Sequence, residues 1–127
     1  MILQQKKPDD FVIASGNEMT VRQFVEKALE TIGISINWKG SGLNEVAVIR
    51  DIKKDNDYKI SENDIIVRIN KKYFRPSEVN YLLGDSSKAH NLLGWKPSIS
   101  INNLIKEMME NDLMEAKKEK LLKESNI

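Results

Sequence analysis

The stretch from Thr20 to Gly33 constrains the fold more than any other part of this 127-residue chain. Thr20 is a favourable helix N-cap and Gln23 follows three residues later, which is the spacing of a capping box. Apolar residues then recur at the spacing of one helical face: Val21, Phe24, Val25, Ala28, Leu29 and Ile32. Gly33 supplies a C-terminal stop. The sequence therefore predicts an amphipathic helix with one face against a core.

Strand-like runs lie on both sides of this helix. Phe11–Ala14 is apolar and is bounded by turn-forming residues, so it predicts a buried strand. Further strands are predicted at 34–38, at 46–49, where the pattern is weaker, and at 65–69. The charged, Asn-containing stretch 50–64 predicts a surface excursion between the last two.

The second half of the chain predicts two more helices. Asp85 can cap a short helix that runs to Leu93 and ends at Gly94. Ser100 can cap a longer helix with an apolar stripe. From residue 115 the sequence is charged and offers little to bury, so we expect a frayed helical tail over 115–127. The prediction is an α/β chain with short strands, about three helices and one folded region over 1–114.

Composition excludes several classes of function. Twenty basic and nineteen acidic residues give a formal charge of +1, so no long-range field favours nucleic acid or an anionic membrane as a partner. The absence of cysteine excludes disulfides and zinc–thiolate sites. Neither a signal peptide nor a run of transmembrane length is present, and we expect a cytoplasmic chain.

Catalytic and cofactor motifs are absent from the sequence. The only histidine, His90, is expected on the exposed side of its helix as an ordinary solvated side chain. Gly40 and Gly42 suggest a dinucleotide loop, but Glu45 stands where that fingerprint needs glycine, so a turn is predicted instead. No catalytic, cofactor-binding or metal-binding residue is assigned.

The segment 70–79 concentrates groups that can bind a nucleotide. Pro76 biases Arg75 toward an extended backbone, from which its guanidinium can make bidentate contact with phosphate. Glu78 can accept hydrogen bonds from ribose hydroxyls. On the chemistry alone, the favoured interpretation is that Arg75 and Glu78 form a surface ion pair while Tyr73 and Phe74 anchor the core.

A resemblance to a known family favours the nucleotide-binding interpretation of this segment instead. The resemblance rests on nine stretches, which are, in order along the chain, Leu3-Gln4-Gln5, Pro8 to Ala14, Val21 to Glu26, Tyr73 to Val79, Leu82-Leu83-Gly84-Asp85, Lys88-Ala89, Leu93 to Pro97, Glu107-Met108 and Asp112-Leu113. Together they resemble the C-terminal region of GDP-mannose 4,6-dehydratases, members of the extended short-chain dehydrogenase/reductase superfamily. The resemblance covers almost all of the chain up to about Leu113.

This resemblance implies a substrate-binding role. The family converts GDP-mannose to GDP-4-dehydro-6-deoxymannose with a tightly bound NADP, using a Rossmann domain and a smaller C-terminal domain. Region 1–114 would be the nucleotide-sugar-binding part, without the complete Rossmann domain. Arg75 would contact the phosphates or ribose of the GDP moiety and Glu78 the ribose hydroxyls, while Tyr73 and Phe74 would support the loop.

The sequence also departs from the family's pattern. It lacks the glycine-rich cofactor fingerprint and the Tyr-x-x-x-Lys pair, so we expect the chain alone to bind no NADP and to be inactive. A truncated reading frame, an isolated piece or half of a split enzyme would each explain this. The alternatives are a related epimerase or reductase, a non-enzymatic module that pairs with a separate Rossmann partner or a homologue, and a domain without a ligand. An unpaired strand edge and an exposed apolar patch are expected, with homo-oligomers as one consequence.

Overall fold

A computed structural model describes residues 1–53, 59–75 and 82–125 of the chain. The helices are α1 (Val21–Thr31), α2 (Ser87–Leu93) and α3 (Ile101–Ser125). The strands are β1 (Ile34–Lys39), β2 (Val46–Ile52) and β3 (Ile65–Arg68), with single 3₁₀ turns at Ile2–Gln4, Gly42–Asn44 and Lys71–Tyr73. The fold is therefore α/β, as the sequence predicts.

Helix α1 begins and ends where its sequence signals predict. The Thr20 hydroxyl accepts a hydrogen bond from the backbone N–H of Gln23 at 3.2 Å, and the Gln23 side chain accepts one from the backbone N–H of Thr20 at 2.9 Å. This reciprocal capping box satisfies two backbone donors of the first turn. Gly33 adopts a left-handed φ of 75°, which turns the chain directly into β1.

The three strands form one antiparallel sheet in the order β1-β2-β3. Val46 at the start of β2 is opposite Lys39 on one side and Arg68 on the other. The central strand β2 contains three consecutive buried residues, Ala47, Val48 and Ile49, so both of its faces are covered. Helix α1 packs against β1 and α3 packs against α1, where Ile105 is fully buried.

The end of α2 and the beginning of α3 follow their sequence signals, whereas α2 begins one residue later than the Asp85 cap predicts, with Ser86 as its N-cap. The backbone N–H of Trp95 donates to the carbonyl of Ala89, and that of Gly94 donates to the carbonyl of His90, with Gly94 at a φ of 67°. A left-handed glycine whose N–H donates to the carbonyl four residues earlier is the αL pattern that ends a helix. The Ser100 hydroxyl accepts a hydrogen bond from the Asn103 backbone N–H at 3.2 Å and caps α3.

Two local predictions are wrong. Phe11–Ala14 is not a buried strand: it pairs with none of the described strands, and Val12 and Ile13 are about half exposed. Apolar β-branched composition favours a strand, but a strand forms only where a neighbour supplies backbone hydrogen bonds. The surface excursion predicted from Arg50 begins later than expected, because β2 continues through Ile52. Residues 54–58 of that stretch lie outside the described residues.

Helix α3 extends well beyond its packed part. It continues without a break from Met114 into the charged segment as far as Ser125, and every side chain from 115 to 125 is exposed. Four Lys–Glu pairs three or four residues apart line its surface, and three of them lie within this segment. Such pairs favour helix locally without tertiary contacts. The division of the chain at 114/115 and the fraying of the tail stay predictions.

Candidate functional site

The chemically distinctive side chains lie at one end of the sheet. Because the strands are antiparallel, the ends of β1 and β3 and the beginning of β2 lie together there, as the alignment of Lys39, Val46 and Arg68 requires. Gly33 links α1 tightly to β1, so α1 folds back and places its first turn at the same end. We call this region the sheet end.

A chain of polar contacts holds α1 to the sheet end. The Arg22 guanidinium forms an ion pair with the Glu45 carboxylate and lies 5.7 Å from the centre of the Trp38 ring. The Trp38 indole N–H donates to the Glu26 carboxylate at 2.7 Å. The Glu45 side chain is only 9% exposed, whereas that of Arg22 is 57% exposed. A nearly buried carboxylate needs such a partner, so Arg22 fixes the approach of α1 to the start of β2.

A groove of about 590 Å³ opens beside these contacts. Its walls come from the first two turns of α1 and from all three strand ends: Thr20, Val21, Arg22, Val25, Trp38, Glu45, Val67, Arg68 and Ile69. Most of these side chains are apolar, with charged groups interspersed. We call this the sheet-end groove. Its volume is in the range of small-ligand sites in proteins.

The segment that carries Arg75 begins at the wall of this groove. After Ile69, the Asn70 side chain accepts a hydrogen bond from the backbone N–H of Lys72 at 3.0 Å and starts the 3₁₀ turn Lys71–Tyr73. The Lys72 ammonium lies 5.6 Å from the centre of the Tyr73 ring. Arg75 is exposed and makes no ion pair with any other residue in the described ranges.

The structure tests only part of the predicted site. Glu78 lies outside the described residues, so its relation to Arg75 is untested. The prediction that Tyr73 and Phe74 anchor the core is wrong, because Tyr73 is 73% exposed and Phe74 is 49% exposed. Their exposure weakens the purely structural interpretation of this segment, which depended on both rings being buried.

Positive charge is concentrated at the sheet end although the whole chain is nearly neutral. The exposed cations on or directly after the strand ends are Lys39, Arg68, Lys71, Lys72 and Arg75. Glu45, the carboxylate at the start of β2, is already paired with Arg22. An anionic ligand is therefore favoured here by local groups rather than by net charge.

A second cluster joins the N-terminal segment to α2. The Lys88 ammonium lies 2.5 Å from the Asp9 carboxylate and 5.1 Å from the centre of the Phe11 ring. The hydrogen bond from Lys88, followed by one from the backbone of Asp10, lowers the pKa of Asp9. Both charged side chains are about half exposed. This cluster is a surface attachment, and its carboxylate stays ionised near neutral pH.

Asp85 and His90 make local contacts near the beginning of α2. The Asp85 carboxylate accepts a hydrogen bond from the backbone N–H of Ser87 at 2.9 Å. Hydrogen bonds from the Ser87 side chain and then its backbone lower the pKa of Asp85. His90 is exposed, as expected, and its Nδ1 lies 3.3 Å from the Asn91 side-chain oxygen. These contacts organise the beginning of α2.

The Gly40–Gly42 segment is a turn, as the sequence predicts. Gly40 has a φ of 80° and Gly42 a φ of 55°, and the chain passes through one 3₁₀ turn into β2. A dinucleotide cradle needs a glycine-rich turn that opens an α-helix, with backbone N–H groups directed at the pyrophosphate. This turn leads into a strand instead and does not fit NADP.

Residues 1–53, 59–75 and 82–125 contain no group of three or more acidic or histidine side chains arranged for a metal ion.

Sequence reasoning did not identify Arg22, Trp38, Glu45 or Arg68 as members of a site. The helical spacing of Arg22 and Glu26 places both on one side of α1, and the alternation of β1 makes Trp38 half-buried. These local signals do not show that α1 folds back onto the strand ends.

None of the helices in the described parts of the chain is long and apolar enough to cross a membrane.

Comparison with known proteins identifies what the chain resembles. A family model described as GDP-mannose 4,6 dehydratase matches residues 1–108. Over 123 residues, or 97% of the chain, it is 46% identical to a GDP-mannose 4,6-dehydratase of Yersinia enterocolitica, of which it covers 33%. It is 44% identical to that of Drosophila melanogaster and 39% identical to that of Homo sapiens, over 89% of the chain and 26% and 28% of those proteins. The chain thus spans about a third of the length of the curated relatives it matches.

Proposed function

The chain belongs to the GDP-mannose 4,6-dehydratase family, and from that premise we propose that it supplies the GDP-binding part of an enzyme that converts GDP-mannose to GDP-4-dehydro-6-deoxymannose. The observation that carries this proposal is the position of Arg75. It is an exposed guanidinium without an ion-pair partner among the described residues, on a segment that leaves the cationic sheet end. That arrangement suits the phosphates of a nucleotide sugar.

Arg75 holds the GDP moiety in this proposal. Its guanidinium presents a planar set of N–H donors that matches two oxygens of a phosphate, or it donates to the ribose. Glu78 accepts hydrogen bonds from the ribose hydroxyls. Lys71 and Lys72 lie on the same segment and add positive charge near the phosphates.

Chemistry is the task of the rest of the enzyme. This chain has neither a glycine-rich fingerprint nor a Tyr-x-x-x-Lys pair. NADP, and the residues that transfer hydride and eliminate water, therefore belong to the other two thirds of a family enzyme. The chain alone is an inactive part of a cytoplasmic lyase, and it orients the substrate by its nucleotide.

A binding titration tests this role. The purified chain is titrated with GDP-mannose, GDP and UDP-glucose by calorimetry and thermal shift. We expect guanosine nucleotides to bind more tightly than UDP-glucose, and Arg75→Ala to weaken GDP at least about tenfold, since a hydrogen bond from a charged group contributes about 1.5–3 kcal/mol. Arg50→Ala is the matched control, because Arg50 is also exposed but lies further along β2.

Two results would contradict the proposal. One is a folded chain whose melting temperature does not change even when the ligand concentration greatly exceeds a Kd in the millimolar range. Even a weak ligand stabilises a protein at such an excess, by mass action. The other is GDP binding that Arg75→Ala and Arg50→Ala affect equally, which would locate the nucleotide elsewhere.

A second candidate function is favoured by one observation. Apolar side chains near the N-terminus and on α2 are exposed: Met1, Ile2, Leu3, Val12, Ile13 and Leu92. In this alternative, a non-enzymatic module buries that surface against a separate Rossmann partner or a homologue. Co-expression with the N-terminal two thirds of a family relative separates the two functions. Restored dehydratase activity favours the enzyme part, and a stable but inactive complex favours the interaction module.

A further inference from the structure

The N-terminal segment, residues 1–14, is attached to the rest of the chain by side chains. In the described residues its backbone-to-backbone hydrogen bonds stay within the segment, around the turn Ile2–Gln4, and it joins none of the described strands. The Asp9–Lys88 pair is its one ionic or hydrogen-bonded link to the other described residues, and both partners are about half exposed. A segment with so few buried links can open locally while the sheet stays folded.

The segment packs closely against α2 at one point and loosely elsewhere. Ala14 is so near Gly84 that a methyl group on this glycine would lie 2.5 Å from the Ala14 Cβ. Open clefts of about 330 and 490 Å³ remain, one between Ile13 and Trp95 and the other beside Leu92. Atoms that line such gaps lose packing contacts, so the attachment is weak. We call the surface that the segment covers the α2 surface; it comprises Gly84, Lys88, Leu92, Leu93 and Trp95.

A short hinge joins the segment to α1. Residues 15–18 are exposed. Gly16 has a φ of 71°, and a methyl group added there would meet no atom within 4 Å. Rotation at this position therefore disturbs no packed contact. Thr20, in contrast, is fixed by the capping box of α1. A change in the direction of the segment would be absorbed by these few loop residues, which is how hinges act in proteins.

We propose that the N-terminal segment exchanges between two copies of this chain, so that the segment of each copy covers the α2 surface of the other. A copy whose segment has opened exposes Trp95 and leaves Lys88 without its carboxylate. The segment of a second copy carries the groups that match this surface in charge and shape: the Asp9 carboxylate, the Phe11 ring and the Ala14 methyl. The closed monomer and the exchanged dimer then share the same contacts and differ at the hinge, as in domain swapping. This exchange is independent of nucleotide binding.

Opposite charge reversals in two chains test the exchange. Asp9→Lys places two lysines together within one chain, and Lys88→Asp places two aspartates together within the other. In an exchanged dimer of the two variants, each segment meets a surface of opposite charge. We expect heterodimers to exceed the homodimers about fivefold in an equal mixture, because each exchanged dimer recovers two pairs that neither chain forms alone. Native mass spectrometry with one variant isotopically labelled measures the ratio.

Two controls accompany the mixture. A chain that carries both Asp9→Lys and Lys88→Asp restores the pair within itself and should dimerise like the wild type. A mixture of Lys106→Glu and Glu110→Lys reverses an equally exposed pair that lies within α3, and it should give heterodimers at the statistical share. Circular dichroism and the melting temperature verify that each variant folds.

Shortening the hinge gives an independent test. Deleting Asn17 and Glu18 removes half of residues 15–18, so the segment no longer reaches its own α2 surface. Short hinges favour exchange, and we expect the dimer fraction at a fixed concentration to rise at least about tenfold. Deleting Lys123 and Glu124 from the exposed end of α3 is the matched control and should leave the fraction unchanged. Sedimentation velocity measures both.

The charge-reversal mixture decides the outcome. Excess heterodimers there, with none in the α3 control mixture, support the exchange. Heterodimers at the statistical share would overturn it, because the chains would then associate without exchanging their segments. A mixture of folded variants that stays monomeric at every concentration would overturn it as well. Neither result affects the GDP titration, so the proposed function is tested separately.

Discussion

Gly84 shows how one small side chain can hold two segments together. A methyl group at this position would lie 2.5 Å from the Cβ of Ala14 and 3.4 Å from a methyl carbon of Val12. Gly84 is within the stretch Leu82-Leu83-Gly84-Asp85, which contributes to the family resemblance. In the structure, the absence of a side chain at Gly84 lets the N-terminal segment approach the region before α2.

We predict that Gly84→Ala destabilises the chain by about 1–3 kcal/mol, the usual cost of overpacking. Urea unfolding measures the change. The matched variant is Gly84→Ala in an Ala14→Gly background, where the opposing methyl is gone and most of the loss should be recovered. Additive effects of the two substitutions would show that Gly84 and Ala14 do not share this contact.

The Asp9–Lys88 pair makes a prediction about pH. The hydrogen bond that Lys88 donates lowers the pKa of Asp9. The pair therefore stabilises the fold at pH values above the ordinary carboxyl pKa. That stabilisation is lost as the pH falls through the lowered pKa of Asp9. Carboxyl carbon NMR should show Asp9 titrating below an ordinary aspartate, and Lys88→Ala should raise its midpoint. Lys96→Ala, which removes another exposed lysine, should leave it unchanged. An unchanged midpoint in Lys88→Ala would show that the pair is not formed in solution.

Residue-scale reasoning from the sequence succeeds where the signal is local. The Thr20 capping box and the Gly94 stop each depend on atoms within a few positions, and both form as predicted. The Arg22–Glu45 ion pair spans twenty-three positions and depends on how α1 folds back. No local pattern encodes that contact. The groove residues could therefore not be grouped from the sequence, and Arg75 was singled out by its chemistry and by the family resemblance.

Helices and strands, like single residues, can be predicted from the sequence where the signals that determine them are local. Strands β1, β2 and β3 were predictable because each has β-branched residues between turn signals, and each has a partner within the chain. Phe11–Ala14 has the same composition without a partner among the described strands, so the pattern alone predicted wrongly. The sequence does not predict the end of β2, because Arg50 and Asp51 are charged, although they lie at exposed positions where a strand tolerates charge.

Helix α3 allows a prediction about which part of an element stabilises the fold. Ile105 is fully buried, whereas all side chains from 115 to 125 are exposed. Removing residues 115–127 should change the free energy of unfolding by less than about 0.5 kcal/mol, since surface ion pairs contribute little. Ile105→Ala should cost about 2–4 kcal/mol through lost burial and a cavity. A large loss on truncation would show that the extension packs against the rest of the chain, contrary to the predicted boundary at 114/115.

At the scale of the whole molecule, the described core is small and many large apolar side chains are exposed. The described core has only six buried apolar residues: Ile34, Ala47, Val48, Ile49, Ala89 and Ile105. Many large apolar side chains remain exposed, including a group near the N-terminus. Family relatives are about three times as long, so the core of this chain is a small part of what they bury. Exposed apolar area of this kind favours association.

We therefore predict that the isolated chain self-associates through its N-terminal apolar surface. Sedimentation equilibrium should give an average mass that rises with concentration, because each apolar side chain removed from water contributes favourably. Ile13→Lys, at a position 51% exposed, should shift the distribution toward monomer. Leu121→Lys, at a position 65% exposed on the far part of α3, is the matched control and should not. If both substitutions act equally, association reflects general apolar exposure. If neither acts on a chain that does associate, contacts form elsewhere, and the N-terminal surface would no longer be the preferred place for a partner.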